Sequence, residues 1–359
     1  MIIYSANENR EVLRAKYQAD TDCFLLTNDD CDEEYHYTPV IKVLPDYNPN
    51  DFDLFILHND REDYGEESIH QVLVEERKRI GWIFPIQSLE STEHSYSDNV
   101  YFLKYAFVAI SKLLDRDAEI KEVLFYDDLQ LADLYEMNET ILLIDRNNTS
   151  TIPNFNLDNY IVSLYNYGYS FTGRGNLNQS CEKIKNLHLV LTPISDQLKA
   201  SKYIVSMYKN IIPNALDTIS KFHLAYQMIE IMIAKVFEEE FKAFLTKVNT
   251  PGIYSDWFKA KDDLVEKTTE SGRIRRLFSN YTRIEADYRN DLKDACDRLL
   301  SFYSINAEDD VAKSLYEVRC LIVHRGYMID SEGIELIDSI NDSLYAVVYK
   351  MVTSLNIEI

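Results

Sequence analysis

Along residues 219–237, Ile219, Phe222, Tyr226, Ile229, Ile233, Val236 and Phe237 recur at three- and four-residue steps. That apolar stripe predicts an amphipathic helix of about five turns. The same periodicity returns over residues 281–303, over 311–323 through Val311, Leu315, Val318 and Ile322, and over 334–355 through Ile337, Ile340, Leu344, Val347, Val348 and Met351. Strand signals vanish beyond about residue 196, so residues 196–359 are expected to form an all-α helical bundle.

The first half is patterned differently. Short stretches rich in β-branched and aromatic residues at 38–44, 52–57, 81–86, 140–144 and 188–191 predict strands. Residues 69–79 and 100–114 are expected to be helices, the second apolar nearly all round and therefore buried. Asn, Ser, Thr and Gly crowd residues 145–154 and 166–180, which predicts loops. The fold class expected is an α+β N-terminal domain, residues 1–195, followed by the helical domain, residues 196–359.

Charge sharpens this division. Residues 1–150 hold 32 acids against 13 bases, a net of −19, whereas residues 201–359 carry only −5. Broad binding to a polyanion is disfavoured, because phosphate contacts need clustered Lys and Arg. Any nucleic-acid contact should be local and lie in the C-terminal half. The N-terminus lacks the apolar core of a secretory signal, and no run approaches a membrane span. Five scattered cysteines without CxxC spacing read as reduced thiols, so a cytoplasmic protein without a structural metal is expected. His36, His58, His70 and His94 do not pair at metal-ligand spacing, and no motif calls for a cofactor. The acidic run 28–34 lacks the glycine of a calcium loop and reads as a solvated turn. Gly173-Arg174-Gly175 lacks the third glycine of a dinucleotide fingerprint and reads as a loop.

The chemistry-bearing stretch is LYEVRCLIVHRGY, residues 315–327. Arg319 and His324 stand five positions apart, about 140° around an ideal helix, so they diverge on a single helix. Gly326 is placed to stop that helix, and a histidine in its last turn feels the helix dipole. Histidine works as acid or base near neutral pH, and guanidinium is suited to charge on a phosphorane. A bland reading stays open, with Arg319 paired to a nearby acid and His324 capping the helix.

This stretch resembles the Arg-x4–6-His signature of the HEPN superfamily, helical domains that include many metal-independent RNases. Residues 221–237, KFHLAYQMIEIMIAKVF, look like the early helix of HEPN domains in ApeA-type defence proteins. The resemblance covers roughly residues 200–350. It implies a homodimer through the C-terminal domain, with Arg319 and His324 of both protomers forming one composite site and Glu230 orienting Arg319. It implies cleavage of RNA without metal, to a 2′,3′-cyclic phosphate, in bacterial defence or toxin–antitoxin biology. An antitoxin or a phage-derived activator at the N-terminal domain would fit that setting. Cys320 follows the motif arginine where the family usually carries a polar residue, often Asn, and a thiol positions phosphate or water less well. The alternative is therefore a HEPN-like interaction or dimerisation module without catalysis. Arg273, Arg275 and Arg276 form the densest basic cluster and, with Arg325, are the candidates to guide an RNA backbone; a solvated helix start is the competing reading of the cluster.

Overall fold

Apolar runs in the first half of the chain become strands, and the computed structural model arranges those strands in two sheets. It describes residues 2–4, 10–28, 34–59, 61, 63–74, 78–116, 118–119, 128–172, 184, 187–199, 201–250, 257–306 and 309–358. The strands are β1 (Ile2–Tyr4), β2 (Arg10–Gln18), β3 (Cys23–Asn28), β4 (Glu34–Tyr37), β5 (Phe52–Leu57), β6 (His70–Val74), β7 (Lys78–Pro85), β8 (Ala118–Glu119), β9 (Thr140–Asp145) and β10 (His188–Leu191). One sheet runs β4-β3-β2-β1-β8 and the other β10-β6-β7-β9-β5. Among the described strands, β1 pairs with β8 and β10 with β6 in parallel, and the other strand pairs are antiparallel.

The buried helix α1 (Val100–Leu114) begins at Asn99, whose side chain accepts from the Tyr101 and Phe102 amides at 3.0 and 3.1 Å. Its residues join Phe24 and Tyr37 of one sheet and Trp82, Phe84, Ile141 and Leu143 of the other in a single buried cluster. Rings meet edge to face within it, as in Phe84–Phe102 at 5.2 Å and Tyr17–Phe107 at 5.1 Å. Gly81 is required on β7: a Cβ there would lie 1.9 Å from the Leu143 carbonyl oxygen of β9.

Several expectations need correction. The helix expected over 69–79 is replaced, among its described residues, by strand: Val72, Leu73 and Val74 are buried in β6, paired antiparallel with β7, which begins at Lys78. A short apolar run rich in valine fits a fully buried strand as well as a helix face. Residues 38–44 are irregular, and the strand lies just before them at Glu34–Tyr37. Pro39 has no amide to give a ladder, yet Ile41 and Val43 are still buried. Within the expected loop 145–154, Arg146–Thr149 form a short helix, α2, capped by Asp145. The sequence assigned no element to β1, β2 or β3. The second expected loop and the acidic run fall partly outside the described residues, as do Gly173, Gly175, Cys31 and Cys181 altogether.

The chain divides into two compact units. The first comprises Met1–Asn156, Gly168–Leu177 and Lys183–Leu191, and the second Leu157–Tyr167, Asn178–Glu182 and Thr192–Ile359. The second unit is helical: α3 (Ile161–Asn166), α4 (Lys202–Ser206), α5 (Thr218–Asn249), α6 (Trp257–Thr268), α7 (Glu270–Arg276), α8 (Ala286–Phe302), α9 (Val311–Arg325) and α10 (Ser331–Ser354). Asp217, Asp310 and Asp330 cap α5, α9 and α10 by accepting amides at 2.8, 3.0 and 2.9 Å. α10 packs on α5 and α8, α8 on α9, and α7 on both α5 and α9. The early segment α3 docks on α10, where Tyr165 meets Tyr345, and Ser163 Oγ accepts the Thr192 amide at 3.2 Å. No helix among the described residues is long and apolar enough to cross a membrane.

Candidate functional site

Arg319 lies on α9 at the face where α7 packs. Its guanidinium carbon sits 6.0 Å from the centre of the Tyr226 ring on α5. Tyr226 is 2% exposed, stacks on Phe222, and donates its hydroxyl to Glu270 Oε1 at 2.8 Å. Glu270 opens α7, where the helix dipole favours a carboxylate. Burial, reinforced by the hydrogen bond to Glu270 and its charge, pushes the Tyr226 phenol up, so it stays protonated and keeps donating. Burial alone would lower the Arg319 pKa; Glu270 first, then Tyr226, Cys320 and Glu230, outweigh it and raise the value. The result is a half-buried cation supported from below by a ring. No hydrogen bond or ion pair to a described residue engages its N–H groups.

Glu230 does not fill the place expected for it. It is exposed and forms no ion pair with Arg319; the carboxylate with the largest charge effect on Arg319 is Glu270. The buried acid of α5 is Glu240, 6% exposed, which accepts from Arg276 Nε at 2.9 Å and the Tyr281 hydroxyl at 2.8 Å. Helical phase explains the swap. Glu240 continues the stripe Tyr226, Ile229, Ile233, Val236 at steps of three and four, whereas Glu230 stands one residue, or about 100°, off it. That register was the signal for Glu240. Glu270 had none, because its role comes from packing of separate helices.

The basic cluster is largely taken up within the bundle. Arg276 is tied to Glu240, and Arg275 pairs with Asp310, the cap of α9, at 3.0 Å. Arg273 lies over the Phe237 ring at 5.4 Å, with its Nε buried and unpaired. Cys320 is half-buried and free, and a hydrogen bond with Cys320 raises the Tyr316 phenol.

His324 and Arg325 close α9, exposed and without a partner among the described residues. The chain then tightens into a 3-10 turn, Gly326–Met328. Val323, Tyr327 and Met328 beside them are 45%, 86% and 49% exposed. Arg319 thus faces α5 and α7 while His324 faces solvent, the divergence that five helical steps impose. Chemically, the arrangement offers an anchored guanidinium and an accessible imidazole on the last turns of one helix. No group of three or more His, Cys, Asp or Glu able to hold a metal occurs among the described residues.

No protein-family model, no curated protein and no solved structure matches this chain.

Proposed function

We propose that the helical unit is a HEPN-like, metal-independent endoribonuclease that works as a homodimer in the cytoplasm. The observation that carries this reading is Arg319: a cation held on Tyr226 with no described residue engaging its donors, five residues before a His324 that has no partner among the described residues. Within one protomer the two side chains diverge, so a two-fold pairing of the α9 ends would bring two Arg-His sets to one phosphodiester. One histidine would take the proton of the ribose 2′-OH as its oxygen forms a bond to phosphorus. The bond to the 5′-oxygen would break as the other histidine protonates it, leaving a 2′,3′-cyclic phosphate and a 5′-OH. Arg319 would neutralise the phosphorane. Arg325 would meet a neighbouring phosphate, and exposed Tyr327 offers a face for a base. The fit to bacterial defence or toxin–antitoxin biology, with an antitoxin or phage-derived activator acting through the first unit, follows from the same resemblance.

The exposed Val323, Tyr327 and Met328 favour a second reading, a dimerisation module without catalysis. Incubating the purified full-length protein with end-labelled RNA, with and without EDTA, separates the two. Nuclease action should persist in EDTA, yield cyclic phosphate ends, and fall about 10²–10⁴-fold in both His324→Ala and Arg319→Ala. Wild-type cleavage retained by His324→Ala overturns the nuclease reading. Absence of cleavage together with a dimer by light scattering favours the module.

A further inference from the structure

The first unit contains a cavity of about 490 Å³, within the range of small-molecule sites. β4 supplies His36 and Tyr37, and the segment after β8 supplies Asp128, Leu129 and Met137. Glu90 also lines it and uses only one oxygen internally: Oε1 accepts the Tyr37 hydroxyl at 2.9 Å and, at 3.4 Å, the Leu131 amide. Its Oε2 has no partner among the described residues. Burial raises the Glu90 carboxyl, with Asp133 adding to the effect against the two hydrogen bonds. The exposed Asp128 adds a second carboxylate at the mouth, and no Lys or Arg lines the cavity among the described residues.

This lining selects by charge. An anion would face Glu90 and Asp128 with no Lys or Arg opposing them, in a stretch of chain carrying a net −19. A neutral ligand would leave Glu90 Oε2 without a charged partner. An ammonium group would supply both a donor and a compensating charge, and the exposed Val40 and half-buried Met137 give an apolar wall for a short methylene body. We propose that this cavity binds a short aliphatic amine, with its ammonium donating to Glu90 Oε2 and its methylenes lying on Val40 and Met137. The inference stands apart from the nuclease reading, since it uses no residue of the helical unit.

Isothermal titration of the full-length protein with three five-carbon probes tests it: pentane-1,5-diamine, pentane-1,5-diol and glutarate. The diamine should bind with one-to-one stoichiometry, and the diol and glutarate should not. Glu90→Gln should weaken the diamine by about 10- to 100-fold, the scale of a lost charge-assisted hydrogen bond. Ala132→Trp fills the mouth from an exposed position and leaves Glu90 and Tyr37 in place, so it should abolish binding while circular dichroism stays unchanged. Equal binding of the diol or glutarate, diamine binding undiminished in Ala132→Trp, or no saturable one-to-one heat with the wild type would each overturn the proposal.

Discussion

The two units place different weight on rings and on charge in their interiors. In the first, the largest buried side chains are rings such as Trp82, Tyr105, Phe102 and Phe84, and each touches other rings. In the second, charge enters the interior: Glu240 is buried against Arg276 and Tyr281, and Arg319 rests on Tyr226. A ring cluster that loses one member keeps contacts among the rest, so damage grows with the volume removed. A buried ion pair that loses one member leaves the other charge uncompensated, so damage depends on which single atom is gone. Apolar packing thus gives the first unit redundancy, whereas the second depends on a few specific partners.

The strongest challenge to that redundancy is Gly81→Ala, because ring contacts cannot absorb a backbone clash. With the new Cβ 1.9 Å from the Leu143 oxygen, β7 and β9 must separate, and the expected cost is several kcal/mol, as for severe overpacking. Loss of the cooperative thermal transition reported by Trp82 fluorescence is the expected outcome. A melt like that of the wild type would show that the sheet yields where it is expected to be rigid.

Next in size, Glu240→Ala should destabilise by about 3–5 kcal/mol, the cost of stranding a buried arginine. Glu230→Ala, ten residues earlier on the same helix, should stay within about 0.5 kcal/mol. Urea unfolding of the two variants measures the contrast directly. Similar values for both would remove the distinction between paired and solvated acids on α5.

A smaller effect tests whether the first unit also carries charge sensitivity. Burial, with the charge of Arg61 added, lowers the His70 pKa from 6.5 to about 4. The unfolded chain therefore takes up this proton first as pH falls. Stability from the neutral ring is intact above pH 6.5 and is lost as pH drops toward about 4, on the order of 2–3 kcal/mol. Between neutral pH and about pH 4.5, wild type should lose more stability in urea than His70→Gln. Parallel losses would place the acid sensitivity elsewhere.

Legibility in the sequence followed the period of the pattern. α5, α9 and α10 were readable because their stripes run for several turns, α1 because fifteen residues are apolar nearly all round, and the edges of β5 and β10 because short apolar runs end in polar residues. β6 was misread because five residues of buried strand carry no period of their own. At the site, the Arg319–His324 spacing and the end of α9 near Gly326 could be read directly. The Tyr226–Glu270 support could not, since it joins α5 to α7 and neither residue's neighbours reveal the other.

The docking of α3 on α10 sets a rule for dissecting this protein. The chain leaves the first unit at residue 157, returns at 168, leaves and returns again at 178 and 183, and crosses for good at 192. A fragment beginning at residue 196 would discard Tyr165, Ser163 and the Ser195 amide that bonds the Val352 carbonyl at 2.9 Å. It would leave Tyr345 and the adjoining face of α10 bare and prone to sticking to any apolar surface. Self-association of such a truncation would report an amputation scar rather than a native dimer, and the helical unit can be transplanted only if residues 157–167 travel with it.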